Sequence, residues 1–232
     1  MTEAEWLAST KMNPMLDYLE GKASDRKWIL FSCACVRRIW HLVSDRRCRR
    51  RVEVAERFVD GLASAEQLNR AAEAMDEADD LEDNAGNHTF GAVESVGYTG
   101  TLAAWKAASK ASDSASFAAA NASGKWSAKA WREAEATEHL VQLALLRDIF
   151  GNPFQPRTPD PSWLTPDVLK LANAAYEKRR LPSGNLDPAR LSVLADALED
   201  VGCSNTNLLG HLRGTGPHVR GCWVVDAVLN NE

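Results

Sequence analysis

Leu102 to Phe150 reads LAAWKAASKASDSASFAAANASGKWSAKAWREAEATEHLVQLALLRDIF, and the fold turns on whether this alanine- and serine-rich run is ordered. Alanine has the highest helix propensity and serine is only mildly unfavourable, so the run predicts two long helices on either side of Gly124. A disordered low-complexity tract is the competitor, but Trp105, Phe117, Trp126 and Trp131 supply the large apolar surface that such tracts lack. The helical reading wins, and the small side chains would let the two helices approach closely.

Upstream, apolar residues also recur at helical spacing. Thr2 and Glu5 make a capping box before Trp6, and Pro14 to Glu20 forms a short helix closed by Gly21. Ser24 or Asp25 then starts a helix with Trp28, Phe31, Cys35, Ile39 and Leu42 along one stripe. Ser44 and Asp45 can cap the next, which runs through Val52, Ala55 and Phe58 to Gly61. Ser64 with Gln67 repeats the capping-box pattern. The segment NAGNHTFGAVESVGYTG, Asn84 to Gly100, has four glycines and little periodicity, and reads as a loop.

Downstream, GNPFQPRTPDPSWLTPD carries five prolines and is a non-helical connector, with Phe154 and Trp163 as anchors. Thr165–Pro166 and Asp187–Pro188 each pair a cap with a first-turn proline and open helices, followed by the short NTNLLGHL and CWVVDAVL. The whole is an all-α bundle of about ten helices without a sheet. Residues 1–150 form a helical bundle, and residues 151–232 a connector with C-terminal helices packed on it as one compact unit.

Composition limits the function. The chain has 232 residues, 45% hydrophobic and 25% charged, with a formal net charge of -5. General binding to nucleic acid or anionic membrane needs excess positive charge, so any such contact must be local. No window approaches a membrane span and the N-terminus lacks the features of a signal peptide, so the reading is cytoplasmic, with no membrane partner. Five scattered cysteines fit reduced thiols better than a disulfide framework.

The stretches MTEAEWL, GKASDRKWILFSCACVRRIWHL, LLRDIFGNPF, LADALEDVGC and GPHVRGCWVVD together resemble a family of helical proteins found in several copies in planctomycete bacteria. The resemblance covers both ends and much of the middle. It implies the helical fold but no activity, cofactor or site residue.

Between residues 37 and 57 stand eight arginines (37, 38, 46, 47, 49, 50, 51 and 57) against Asp45, Glu53 and Glu56. Arg37, Arg38, Arg46, Arg47, Arg49, Arg50 and Arg51 are candidates for binding a partner or an anion, because guanidinium groups match phosphate oxygens, and Trp40 offers a stacking surface for a base. The rival is internal: seven acids between Glu73 and Asp83 on the following helix could neutralise the run. A solvated or paired face comes first and a binding site second.

The loop GTGPHVRGCWVVD is the second candidate. His218 and Arg220 lie before a helix N-terminus that could hold an anion, or Arg220 pairs with Asp226 to fix the loop. Cys203, His211, His218 and Cys222 have the donor types of a zinc site, yet spacings of eight, seven and four lack the paired knuckles of known zinc motifs. Cys33 and Cys35, two apart on a helix, point away from each other. No metal, cofactor or catalytic residue is therefore assigned, and no hydrolase, metalloprotease, dinucleotide or kinase motif is present. The expectation is a non-catalytic interaction module or accessory subunit with a protein partner. The alternative is a nucleoprotein subunit touching RNA or DNA through the arginine face.

Overall fold

The computed structural model describes residues 1–76, 86–99, 101–124, 127–155 and 158–231. Among them are twelve α-helices and no strand: α1 (Glu3–Ala8), α2 (Met12–Leu19), α3 (Asp25–Arg38), α4 (Arg46–Phe58), α5 (Ala65–Asp76), α6 (Gly86–Glu94), α7 (Thr101–Ala122), α8 (Ala128–Phe150), α9 (Pro166–Glu177), α10 (Pro188–Asp200), α11 (Thr206–Leu212) and α12 (Trp223–Leu229). No described helix is long and apolar enough to cross a membrane. The chain divides into two compact units, Met1–Leu143 and Ala144–Glu232, and the division falls inside α8 rather than after it.

In the first unit α3 is the central helix. Trp28, Phe31, Cys35 and Val36 are fully enclosed, and α3 packs chiefly on α7. α7 packs on both α3 and α6, and its Ala108, Ala111, Ala115 and Ala118 are all buried. A second face of α7 meets α8 through polar groups. Ser112 and Ser116 both donate to the buried Gln142 carbonyl, and the Gln142 amide returns a bond to the Ser112 backbone oxygen at 3.2 Å. Phe117 stacks on Trp131 with ring centroids 5.5 Å apart, so these two aromatic residues of the alanine-rich run pack on each other.

The caps follow the local rules. Thr2 and Glu5 form the complete capping box, Ser64 and Gln67 exchange bonds in the same way, and Ser24, Asp45, Thr165 and Asp187 cap α3, α4, α9 and α10. Some expectations fail: α3 stops at Arg38, short of Ile39 and Leu42, and Phe154 is exposed rather than an anchor. Much of the glycine-rich segment 84–100 is not loop but α6, whose Ala92 and Val93 are buried. Glycine at position 91 costs helix propensity but leaves room for Ser114, whose Oγ would stand 3.3 Å from an added Cβ. The bulk of the acidic run after Glu73 lies outside the described residues.

The second unit is built on α9 to α12 and the last turns of α8. Tyr176, Leu191, Leu194, Leu198, Leu208 and Val224 are among its core residues. A short 3-10 turn, Pro161–Trp163, sits within the proline-rich connector, capped by Asp160. Gly151 ends α8 with φ +59°, and a Cβ there would lie 2.9 Å from Cγ of Trp223, so only glycine lets that indole close over the end of the helix.

Candidate functional site

The structure distributes the arginines of residues 37–57 rather than gathering them. Arg37 is buried and makes a bidentate pair with Glu56. Arg51 is also buried and donates to the backbone oxygens of Val93 and Glu94. Arg38 forks onto Glu138 at 3.2 and 3.1 Å, Arg47 onto Asp45, and Arg57 donates to the Leu62 carbonyl. Arg49 donates to the Val43 carbonyl at 2.7 Å. The Trp40 ring has two guanidinium groups over it, Arg37 at 4.7 Å and Arg49 at 5.7 Å, so intramolecular cations already occupy the stacking surface. The exposed side of α4 shows Arg46, Arg50, Glu53 and Arg57, a mixed stripe.

The physical reason is helical periodicity. Consecutive arginines point in different directions around the axis, so a run in sequence cannot be a patch in space. Arg50→Glu, on the exposed stripe, should change stability by less than about 0.5 kcal/mol in a urea titration. A larger loss would mean that the side chain is not solvated.

The chemistry is concentrated elsewhere, at the end of α8. Asp148 is buried, and its Oδ1 lies 3.0 Å from Nε2 of His211 and 2.9 Å from Nδ1 of His218, while its Oδ2 accepts from the Val219 backbone N–H at 2.8 Å. The Cys222 Sγ is 3.3 Å from the same Nε2 of His211. The two imidazoles meet edge to face with centroids 4.7 Å apart, and the Trp223 ring lies 5.3 Å from that of His211. Each side chain is brought in by a different part of the second unit: Asp148 by the last turn of α8, His211 by α11, His218 by the glycine-rich loop, and Cys222 by the N-cap of α12.

Burial alone would neutralise Asp148, but the bonds from His211 and His218 outweigh it and hold its carboxyl below the ordinary value. Burial disfavours a charge on His218 as well, yet the Asp148 carboxylate prevails and raises its pKa. Burial pushes the Cys222 thiol well up, and the neighbouring Asp148 charge adds to it.

His218 therefore faces a buried carboxylate, which repels an anion, and Arg220 lies over the Tyr176 ring at 5.6 Å. Asp226 accepts from the Tyr176 hydroxyl, and that hydroxyl accepts from the Gly221 N–H. Of the two readings of this loop, an anion site or an internally fixed turn, these internal bonds accord with the second.

Of the four donors weighed in the sequence, three converge. Cys203 does not; it is a core thiol of the second unit, and Asp148 stands in its place. Asp148 escaped the reading because it lies 63 residues before His211. Its one signal is a lone acid between the apolar pairs Leu145–Leu146 and Ile149–Phe150, on a stripe where a carboxylate has no business unless something binds it. Cys33, Cys35 and Cys48 are buried thiols in no disulfide. No family model, curated protein or solved structure matches this chain.

Proposed function

We propose that this chain is a non-catalytic helical module that docks a protein partner, an accessory subunit rather than an enzyme. The observation that supports this most is a pair of clefts, among the described residues, whose linings are mainly apolar or uncharged. A cleft of about 270 Å³ between α9 and α10 is lined by Leu171, Ala174, Ala189 and Val193, with Asp187 and Arg190 as its polar members. Val193 is 50% exposed although apolar. A second cleft, of about 320 Å³, has Trp163, Trp223 and Leu208 among uncharged polar residues. Neither contains a histidine or cysteine, whereas catalysis needs reactive groups within reach of a bound substrate.

An apolar groove edged by one acid and one base suits the apolar stripe of an amphipathic helix from another protein. A photo-crosslinking residue at position 193, used with the intact chain as bait, should attach to one discrete protein. Leu171→Glu in the same bait should abolish the product. Crosslinking that Leu171→Glu leaves intact would overturn the groove. Salt-sensitive oligonucleotide binding lost in an Arg46→Gln/Arg50→Gln variant would instead put RNA or DNA in the place of the protein partner.

A further inference from the structure

We infer that Asp148, His211, His218 and Cys222 are the four ligands of one structural zinc-class cation in the C-terminal unit. The donor atoms, Asp148 Oδ1, His211 Nε2, His218 Nδ1 and Cys222 Sγ, all lie within 4.8 Å of one another. Zinc at ~2.0–2.3 Å from each ligand in a tetrahedron sets its donors roughly 3.3–3.8 Å apart. The separations of 3.0, 2.9 and 3.3 Å reach that figure with shifts of a few tenths to about 1 Å.

Hydrogen bonding accounts for this arrangement poorly. His211 Nε2 stands at bonding distance from both a carboxylate oxygen and a thiol, and Asp148 Oδ1 collects both imidazoles, so the donors converge on a point instead of forming a chain of pairs. The outward atoms are tied as a metal's surroundings require. His218 turns Nε2 toward the Gly214 carbonyl at 3.4 Å, so the Nε2 proton keeps a partner there when the ion takes the place of the proton on Nδ1. Asp148 Oδ2 is held by the Val219 N–H, which fixes the carboxylate's orientation and leaves Oδ1 to the cluster.

The donor set also selects the ion. Two imidazoles, one thiolate and one carboxylate favour zinc over magnesium or calcium, which take all-oxygen shells. A carboxylate and a thiolate together cancel the +2 charge, so the buried site ends neutral; the Cys222 proton leaves to solvent, and the protons that the imidazoles share with Asp148 leave the ligating nitrogens, as the metal bonds form. Four protein ligands leave no open coordination position, which makes the ion a structural clamp on α8, α11, the His218 loop and α12. His211 is the one partly exposed ligand, with its side chain 21% accessible, and marks the path by which the ion enters.

The test uses the full chain, stripped with a chelator and returned to zinc or cobalt. Elemental analysis should give one zinc per chain, and Co²⁺ should give the intense visible bands of tetrahedral cobalt with a thiolate-to-cobalt transition in the near ultraviolet. Cys222→Ser and Asp148→Asn should each weaken zinc by more than about 100-fold, since even outer partners of a metal ligand are worth 10- to 100-fold. Cys203→Ser should keep full stoichiometry, because that thiol is outside the cluster. A wild-type chain that takes up no zinc and shows no tetrahedral cobalt spectrum overturns the inference, whatever the variants do. So does zinc binding that survives both Cys222→Ser and Asp148→Asn, or a thiolate band lost in Cys203→Ser and retained in Cys222→Ser.

Discussion

Glu56→Ala should destabilise the protein by about 3–5 kcal/mol, as removal of one member of a buried ion pair strands the other charge away from water. The side chains of Arg37 and Glu56 are only 4% and 3% accessible, and the guanidinium meets the carboxylate through two parallel bonds, the longer 2.7 Å. Burial works against the charge on Arg37, but its bonds to Glu56 and that carboxylate's charge outweigh it and raise its pKa above the ordinary value. The double variant Arg37→Met/Glu56→Leu should recover to within about 1 kcal/mol of the parent, because it leaves no unpaired charge. Urea titrations of the three proteins decide the matter. A loss below about 1 kcal/mol for Glu56→Ala, the range of exposed pairs, would contradict the burial of this one.

Trp28→Ala should cost a similar amount, about 3–5 kcal/mol, through lost apolar contact and the cavity left behind. Trp28 is 0% exposed, in the first turn of α3, the helix that packs on α4, α6 and α7. Circular dichroism during urea unfolding gives the value without relying on indole fluorescence, which the substitution itself alters. A shift under about 1 kcal/mol would mean that the ring is not packed as described.

The helices were legible because their signals are local. Thr2 with Glu5, Ser64 with Gln67, and the Thr165–Pro166 and Asp187–Pro188 pairs act within one turn, and the caps stand where the sequence puts them. α6 was not legible because its helicity comes from tertiary packing: Ala92 and Val93 are buried there, and the Ser114 side chain comes close to Gly91. The arginine run misled in the opposite sense. Its composition is obvious, but which way each residue faces depends on the register of α4 and on partners such as Val93 and Glu138, distant in sequence. The cluster at Asp148 was half legible. His211, His218 and Cys222 are near neighbours in the chain, whereas the carboxylate that joins them arrives from a helix 63 residues away.

Helix α8 begins at Ala128 and ends at Phe150, and the division between the two units lies within it, after Leu143. Anyone dissecting the protein into pieces meets a difficulty there. A C-terminal fragment started at Ala144 would keep only seven residues of that helix, well short of the roughly 12–15 at which an isolated helix becomes even marginally stable. Asp148 would then sit on a fraying stub. A fragment started at Ala128 carries the complete helix and delivers the carboxylate already oriented, so expression boundaries for the C-terminal unit belong at the beginning of α8 and not at the border that compactness draws.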